Sequence, residues 1–234
     1  MTASELTAKD NPVTNGKKLV VFCDFDGTIT VNDNIVAIMK HFNPPGWEDI
    51  VRQLMDKKLS VRQAVGQMFR LLPTSRREEI IEYSIRNAVI RDGFHEFVDY
   101  CREQNIQLFI TSGGIDFFIY PLLAPFPIPN DHIYCNESSF DGESIEILWP
   151  HTCDDQCQND CGMCKTAIIR SYNKEHYHRI LIGDSVTDFE GAKLVETIFA
   201  RSHLIELCRE LELPFYPFDN FHEIIQQMEA LAQA

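Results

Sequence analysis

Two acidic residues follow directly after a strongly apolar segment near the N-terminus. The segment LVVFC (residues 19–23) is continued by Asp24, Phe25 and Asp26, and then by Gly27 and Thr28. A short, nearly continuous apolar run with β-branched residues is typical of a parallel strand that is buried on both faces. Carboxylates at the end of such a strand can bind a cation, attack an electrophilic centre or transfer a proton.

Two further apolar segments end in polar side chains. IQLFIT leads through Thr111 into Ser112 and Gly113, and HRILIGD ends at Asp184, with Asp188 four residues later. Because ligands of open α/β sheets bind beyond the carboxyl ends of the strands, these groups are expected to meet the first two aspartates in one crevice. Neighbouring carboxylates raise each other's pKa unless a positive charge compensates them. Oxygen ligands with room for water and substrate favour Mg²⁺ as that charge.

The order of the remaining patterns predicts the fold. Helical patterns cover about 32 to 104, ETIFA (residues 196–200) adds a fourth strand, and apolar residues at helical spacing occur near the C-terminus. Strands that alternate with helices predict a doubly wound, parallel α/β sheet. Ser60 with Gln63, and Ser75 with Glu78, match the spacing of helix capping boxes.

The expected organisation has a core that is interrupted after its first strand. We predict a mobile tail at 1–16, an α/β core at 17–31 and 91–234, and a helical insertion at 32–90. Within the core, Asp141 and Gly142 provide a turn for a hairpin at 132–150, which is expected to form a flap outside the sheet. A cysteine-rich loop follows at 151–165.

Composition limits the partners. The 234 residues contain 21 Lys and Arg against 35 Asp and Glu, which gives a formal net charge of −14. Such a surface repels nucleic acids and anionic membranes, so neither is expected as a partner. No signal peptide or membrane span is recognisable, and a cytoplasmic location is expected. The oligomeric state is left open.

The runs DFDGTIT, TSGG and IGDSVTD, each after a predicted strand, resemble the motifs of the haloacid dehalogenase superfamily of aspartate-based phosphatases. The resemblance extends from about residue 18 onward and implies a Rossmann-like core, with the insertion as a C1-type cap. It implies that Asp24 is the nucleophile and Asp26 the general acid and base. It also implies that Ser112, the Gly113 amide and a lysine bind the phosphate. Lys165 is the best match for this lysine, and Lys174, in a polar turn nearer the strand, is a weaker one.

The same resemblance implies a Mg²⁺ site formed by Asp24, Asp26 and Asp184, with Asp188 as an outer-sphere ligand or as an anchor of the adjacent loop. The reaction implied is hydrolysis of a small-molecule phosphate ester through an aspartyl-phosphate. A proton donor at Asp26 favours phosphoryl chemistry over dehalogenation, because a halide leaves without a proton. A mutase stays open as an alternative, and a non-catalytic binding protein is disfavoured because the acidic groups and the serine are all present.

Longer stretches indicate the substrate class. CDFDGTITVNDNIVAIMKHF, SGGIDFFIYPLL and IGDSVTDFEGAKL resemble the enol-phosphate phosphatases of bacterial methionine salvage. Phosphoserine phosphatases, and phosphatases of phosphocholine and phosphoethanolamine, are the alternatives. Apolar residues of the insertion could line a pocket for a thioether tail or form plain helix core; they are Ile35, Ile38, Met39, Met68 and Phe69.

The eight cysteines fall into two groups. Four occur in apolar contexts as expected for reduced core residues, namely Cys23, Cys101, Cys135 and Cys208. The other four follow C-x3-C-x3-C-x2-C and are Cys153, Cys157, Cys161 and Cys164. The second group could hold a tetrahedral Zn²⁺ ion, or it could be reduced or form labile disulfides. The last three also match the spacing of an iron–sulfur motif, a remote alternative because they follow a late hairpin rather than a first strand.

Overall fold

The computed structural model describes residues 16–232, so most of the predicted tail lies outside the described residues. Within this range the strands are β1 (Lys18–Cys23), β2 (Gln107–Ile115), β3 (Ile133–Ser139), β4 (Glu146–Leu148), β5 (Tyr177–Gly183), β6 (Thr197–Ala200) and β7 (Tyr216–Pro217). The helices are α1 (Asn34–Phe42), α2 (Trp47–Met55), α3 (Val61–Arg70), α4 (Arg77–Asn87), α5 (Phe94–Glu103), α6 (Asp116–Leu123), α7 (Lys165–Arg170), α8 (Val186–Ala192), α9 (Ser202–Glu210) and α10 (Phe221–Ala232). No helix in the described part of the chain has the length and apolar character needed to cross a membrane.

A sheet with the strand order β4-β3-β2-β1-β5-β6-β7 forms the core, and every neighbouring pair except β3 and β4 is parallel. The side chains of β1 alternate between two apolar clusters: Val21 and Cys23 belong to one, and Val20 and Phe22 to the other. The α/β fold class is therefore confirmed, and β1 is buried on both faces as its apolar run predicts.

The helical insertion leaves and re-enters the core at one point. Thr30 and Ile90 form an antiparallel bridge between its two connections, and the Val31 N–H donates to the Val89 carbonyl at 2.8 Å. The buried Arg91 guanidinium fixes this junction because it donates to the carbonyl of Thr28 at 2.6 Å. Helices α1 to α4 are thus held beside the carboxyl end of β1.

One predicted capping box is confirmed and the other is wrong. Ser60 accepts the Gln63 N–H at 3.0 Å, and the Gln63 side chain accepts the Ser60 N–H at 3.0 Å. Ser75 instead lies inside a short 3-10 turn at Thr74–Arg76, so that α4 begins only at Arg77. The Thr74 N–H donates to the Glu143 carbonyl, and this tertiary contact directs the chain into the turn.

The predicted hairpin is present, but the prediction that it forms a flap outside the sheet is wrong. Strands β3 and β4 pair antiparallel, with Glu137 opposite Leu148. Strand β3 also pairs parallel with β2, with Ile110 opposite Ile133. Ile133 and Cys135 are buried, so one side of β3 joins the core and the strand extends the sheet.

Candidate active site

Asp24 directly follows β1 and lies at the carboxyl end of this central strand. The Asp24 N–H donates to the Ile182 carbonyl of β5 at 2.9 Å, and the residue is 4% exposed. Residues 25–29 then form a wide turn in which Gly27 has a φ of 80°. A Cβ atom on Gly27 would overlap the Asp184 carboxylate, so only glycine permits this turn to approach the end of β5 so closely.

Lys165 connects the acidic groups of two strand ends. It is the first residue of α7, and its ammonium donates to Asp24 Oδ1 at 2.6 Å and to Asp188 Oδ1. All three side chains are almost fully buried. Burial disfavours a charged lysine, but Asp188 and Asp24 outweigh that effect and raise the Lys165 pKa above its ordinary value. The ammonium is therefore permanently charged at neutral pH.

Both oxygens of Asp188 are engaged by the protein. Oδ1 accepts from Lys165, and Oδ2 accepts the N–H groups of Asp184 and Ser185, each at 3.1 Å. These contacts orient the lysine and the loop after β5. Asp188 consequently has little lone-pair capacity left for a metal ion, although it lies next to the other carboxylates.

The cluster has more negative than positive charge. One oxygen each of Asp24, Asp184 and Asp188 lie within 4.8 Å of one another, and Lys165 supplies the ammonium that contacts two of them. Burial, and then the charge of Asp188, raise the Asp24 pKa well above its ordinary value and the Asp184 pKa to about 7. Asp184 Oδ1 is buried and has no hydrogen-bond partner within residues 16–232. An unpaired oxygen and an excess of carboxylates fit a hard divalent cation.

The Asp26 carboxylate is directed away from that cluster. Its Oδ1 atom accepts the Asn34 side-chain amide at 2.6 Å and the Asn34 N–H at 3.0 Å. A Cβ atom on Gly114 would lie 2.7 Å from Oδ2, which places this second oxygen against the end of β2. Burial and the charge of Asp33 raise the Asp26 pKa to about 7, although the Asn34 donors oppose the shift. A carboxyl group with such a pKa can both donate and accept a proton at neutral pH.

Strand β2 supplies the polar groups opposite Asp26. Ser112 is fully buried, and its hydroxyl oxygen accepts the Gly114 N–H at 2.9 Å, so its proton remains available to a ligand. The Gly113 carbonyl accepts from the Asn136 amide at 2.7 Å, and no atom lies within 4 Å of a Cβ built on Gly113. The strand runs on to Ile115, beyond the predicted end at Ser112.

The structure brings the predicted site residues together, with one difference in the expected metal ligands. Asp24 and Asp184 share a cluster with Asp188, whereas the Asp26 side chain is held by Asn34. The pattern of motifs gave no indication of Asn34, because a single asparagine in a polar turn has no distinctive spacing.

Two other residues that support the site were also missed. Arg91 follows the insertion and binds the carbonyls of Gly27 and Thr28, and Asn136 on β3 binds Gly113. Their partners are far away in the chain, so only the folded structure reveals them. Of the five apolar residues considered for a pocket, four are buried in the main core, namely Ile38, Met39, Met68 and Phe69, and Ile35 packs against it partly buried.

Comparisons with known proteins agree with this geometry. A family profile described as haloacid dehalogenase-like hydrolase matches residues 21–193. A Brevibacillus brevis protein named 2-hydroxy-3-keto-5-methylthiopentenyl-1-phosphate phosphatase is 54% identical over 217 residues, which cover 93% of this chain and 98% of the relative. A Bacillus mycoides protein of the same name is 45% identical over 213 residues, 91% of this chain and 97% of the relative.

A solved structure of a phospho-aspartyl intermediate analogue of phosphoserine phosphatase has a similar fold. The TM-score is 0.65 at 19% identity, and the match covers 90% of this chain and 98% of the other. At this level of identity the similarity concerns the fold alone.

Proposed function

Because the chain belongs to the haloacid dehalogenase-like hydrolases, we propose that it is a Mg²⁺-dependent phosphatase that hydrolyses 2-hydroxy-3-keto-5-methylthiopentenyl-1-phosphate to the acireductone. The substrate rests on the relatives that are 45% and 54% identical over nearly their whole length. The single structural observation that supports the chemistry is the buried Lys165 between Asp24 and Asp188 beside an unpaired Asp184 oxygen.

In the proposed first step, an Asp24 carboxylate oxygen attacks phosphorus and forms an aspartyl-phosphate. The bond between phosphorus and the ester oxygen breaks, and the enolate that leaves takes a proton from Asp26. The Asn34 contacts leave Asp26 Oδ2 as the oxygen that carries this proton. Lys165 holds Asp24 in position and reduces its repulsion from the phosphate dianion.

In the second step, Asp26 is the base. It removes a proton from a water molecule, whose oxygen attacks the aspartyl-phosphate and releases inorganic phosphate. Asp24 is then a carboxylate again, and Asp26 is protonated again. An Asp26 pKa near 7 suits both steps, since the group must give up and regain a proton in every cycle.

Side chains at the strand ends would hold the metal and the phosphate. Asp24 and Asp184 are the proposed side-chain ligands of Mg²⁺, and Asp26 would contribute its main-chain carbonyl, because Asn34 holds Oδ1 of its carboxylate and Oδ2 lies against Gly114. When bound, Mg²⁺ would neutralise the excess negative charge and polarise the phosphoryl group. The proposed hydrogen-bond donors to the phosphate are the Ser112 hydroxyl, whose proton is free, the Gly113 amide and Lys165.

The helical insertion is the proposed cap. It is tethered at Thr30 and Ile90, next to the turn that carries Asp26, so a movement about this junction would open or cover the strand ends. Covering them excludes water from the charged cluster, which strengthens its electrostatic interactions.

The test is steady-state phosphate release with Mg²⁺ from a panel of esters: the methylthiopentenyl enol phosphate, phosphoserine, phosphocholine, phosphoethanolamine and an aryl phosphate. We expect kcat/KM for the enol phosphate to exceed the others by orders of magnitude. Preference for another ester would refute the substrate and keep the chemistry. Full activity of a folded Asp24→Asn variant would refute the mechanism.

A further inference from the structure

Four cysteine sulfurs converge in the loop that leads to Lys165. The Sγ atoms of Cys153, Cys157, Cys161 and Cys164 all lie within 4.8 Å of one another, and those of Cys157 and Cys161 are 3.7 Å apart. Four sulfurs at about 2.3 Å from a central Zn²⁺ form a tetrahedron with edges of about 3.8 Å. The loop therefore already has nearly the spacing that a four-thiolate zinc site requires.

Hydrophobic packing does not explain this convergence. Residues 149–164 contain no helix or strand, and three of the four thiols are partly exposed. The other four cysteines are buried on strands or helices and belong to the two apolar clusters. A polar loop gains little from collecting four thiols, three of them partly exposed, unless a common ligand binds them.

The surroundings of the sulfurs suit thiolates. The Cys161 N–H donates to Cys153 Sγ at 3.4 Å, and the Thr166 hydroxyl lies 3.2 Å from Cys164 Sγ. Donors of this kind stabilise sulfur ligands and fix their orientation. The cysteine loop offers sulfur ligands, whereas the strand-end cluster offers oxygen ligands, so the two sites select different metals.

We propose that this loop binds one Zn²⁺ ion through Cys153, Cys157, Cys161 and Cys164, separately from the Mg²⁺ at the strand ends. All four coordination positions are filled by protein, as in structural zinc sites, so the ion has no place for a substrate. It is a spectator of the reaction and stabilises the loop.

The zinc loop joins the catalytic lysine to the helical insertion. Cys164 directly precedes Lys165, and Asp160, within the loop, accepts the Ser60 hydroxyl at 2.6 Å and the Arg62 guanidinium at 3.4 Å. Ser60 is the N-cap of α3. Zinc would hold the loop in one conformation, so that Asp160 and Lys165 keep fixed positions relative to each other.

Metal analysis of the purified protein tests the proposal. Protein prepared without chelators or immobilised metal is expected to contain one zinc per chain. Cys157→Ser and Cys161→Ser should lose most of it, whereas Cys208→Ala, at a buried cysteine far along the chain, should retain it. Replacement of zinc by Co²⁺ should produce thiolate-to-metal charge-transfer bands and the visible bands of tetrahedral cobalt.

A second measurement avoids variants that fail to fold. Titration of the wild-type protein with an organomercurial should release zinc to a colorimetric indicator as four thiols are blocked. A protein without bound metal whose four thiols react freely, or one with disulfides between them, would overturn the proposal. Iron with acid-labile sulfide would overturn it as well. These readouts do not depend on phosphatase activity, so the site can fail while the proposed function stands.

Discussion

Replacing Lys165 by methionine is expected to destabilise the protein by about 3–5 kcal/mol, the usual cost of leaving buried charges without their partner. Methionine has a similar length, so little packing is lost. The Lys165 side chain is 4% exposed and contacts two carboxylates, Asp24 and Asp188, whose side chains are 6% and 0% exposed. When its carboxyl groups are ionised, the cluster, which includes Asp184, changes from three negative charges and one positive charge to three negative charges alone.

A second substitution separates charge from packing. Asp188→Asn in the Lys165→Met background removes one negative charge and restores the net charge of the wild-type cluster. The double variant is therefore expected to recover about 2 kcal/mol or more of the lost stability, since the two side chains interact directly. Activity should not return, because the lysine that positions Asp24 is still absent.

The assay is urea unfolding followed by circular dichroism, with the free energy compared at equal m-values. Lys193→Met is the matched control, because Lys193 forms an exposed pair with Glu190 at 2.7 Å. Such a surface pair contributes at most about 1 kcal/mol. If the effects of Lys165→Met and Asp188→Asn simply add, the electrostatic account of the cluster is refuted.

Three further results are expected. Asn34→Ala should lower kcat roughly ten- to hundredfold with KM little changed in steady-state kinetics, because a hydrogen bond to charged Asp26 contributes about 1.5–3 kcal/mol. Gly27→Ala should raise the Mg²⁺ concentration for half-maximal activity about tenfold or more, because the new methyl group overlaps Asp184, a proposed Mg²⁺ ligand. The strained φ of the alanine adds roughly 1–3 kcal/mol to the free energy of the folded state. In thermal melts without Mg²⁺, stability should fall as the pH rises from about 4 to about 7. The raised pKa values of Asp26 and Asp184 mean that the folded state holds more protons there than the unfolded state, and Mg²⁺ should weaken this dependence.

Each of these results has a control. Gly46→Ala has an equally positive φ but open space around its Cβ, so a similar rise in the Mg²⁺ requirement there would contradict the steric explanation. Asn87→Ala, at the end of α4, should leave kcat unchanged. An Asn34→Ala variant with normal kcat would show that Asp26 needs no such support. If Asp184→Asn has the same stability profile with pH as the wild type, Asp184 is not a source of the dependence.

The sequence determined the elements that carry the chemistry. Apolar runs that end in Asp24, Ser112 and Asp184 predict buried parallel strands, and parallel strands place their carboxyl ends at one edge. This information is local, because strand type depends on the hydrophobic pattern of a few consecutive residues. The insertion and the C-terminal helix were predictable for the same reason.

Only the tertiary structure decided which groups touch. The contacts of Lys165 with Asp188 and of Arg91 with Gly27 join residues 23 and 64 positions apart, and no local pattern encodes such pairs. The turn at Ser75 and the inclusion of β3 in the sheet were also set by distant partners. Short motifs identify which side chains are available, whereas hydrogen-bond geometry and burial depend on packing between elements. The candidate chemistry could thus be inferred from the sequence, and the charge balance of the site could not.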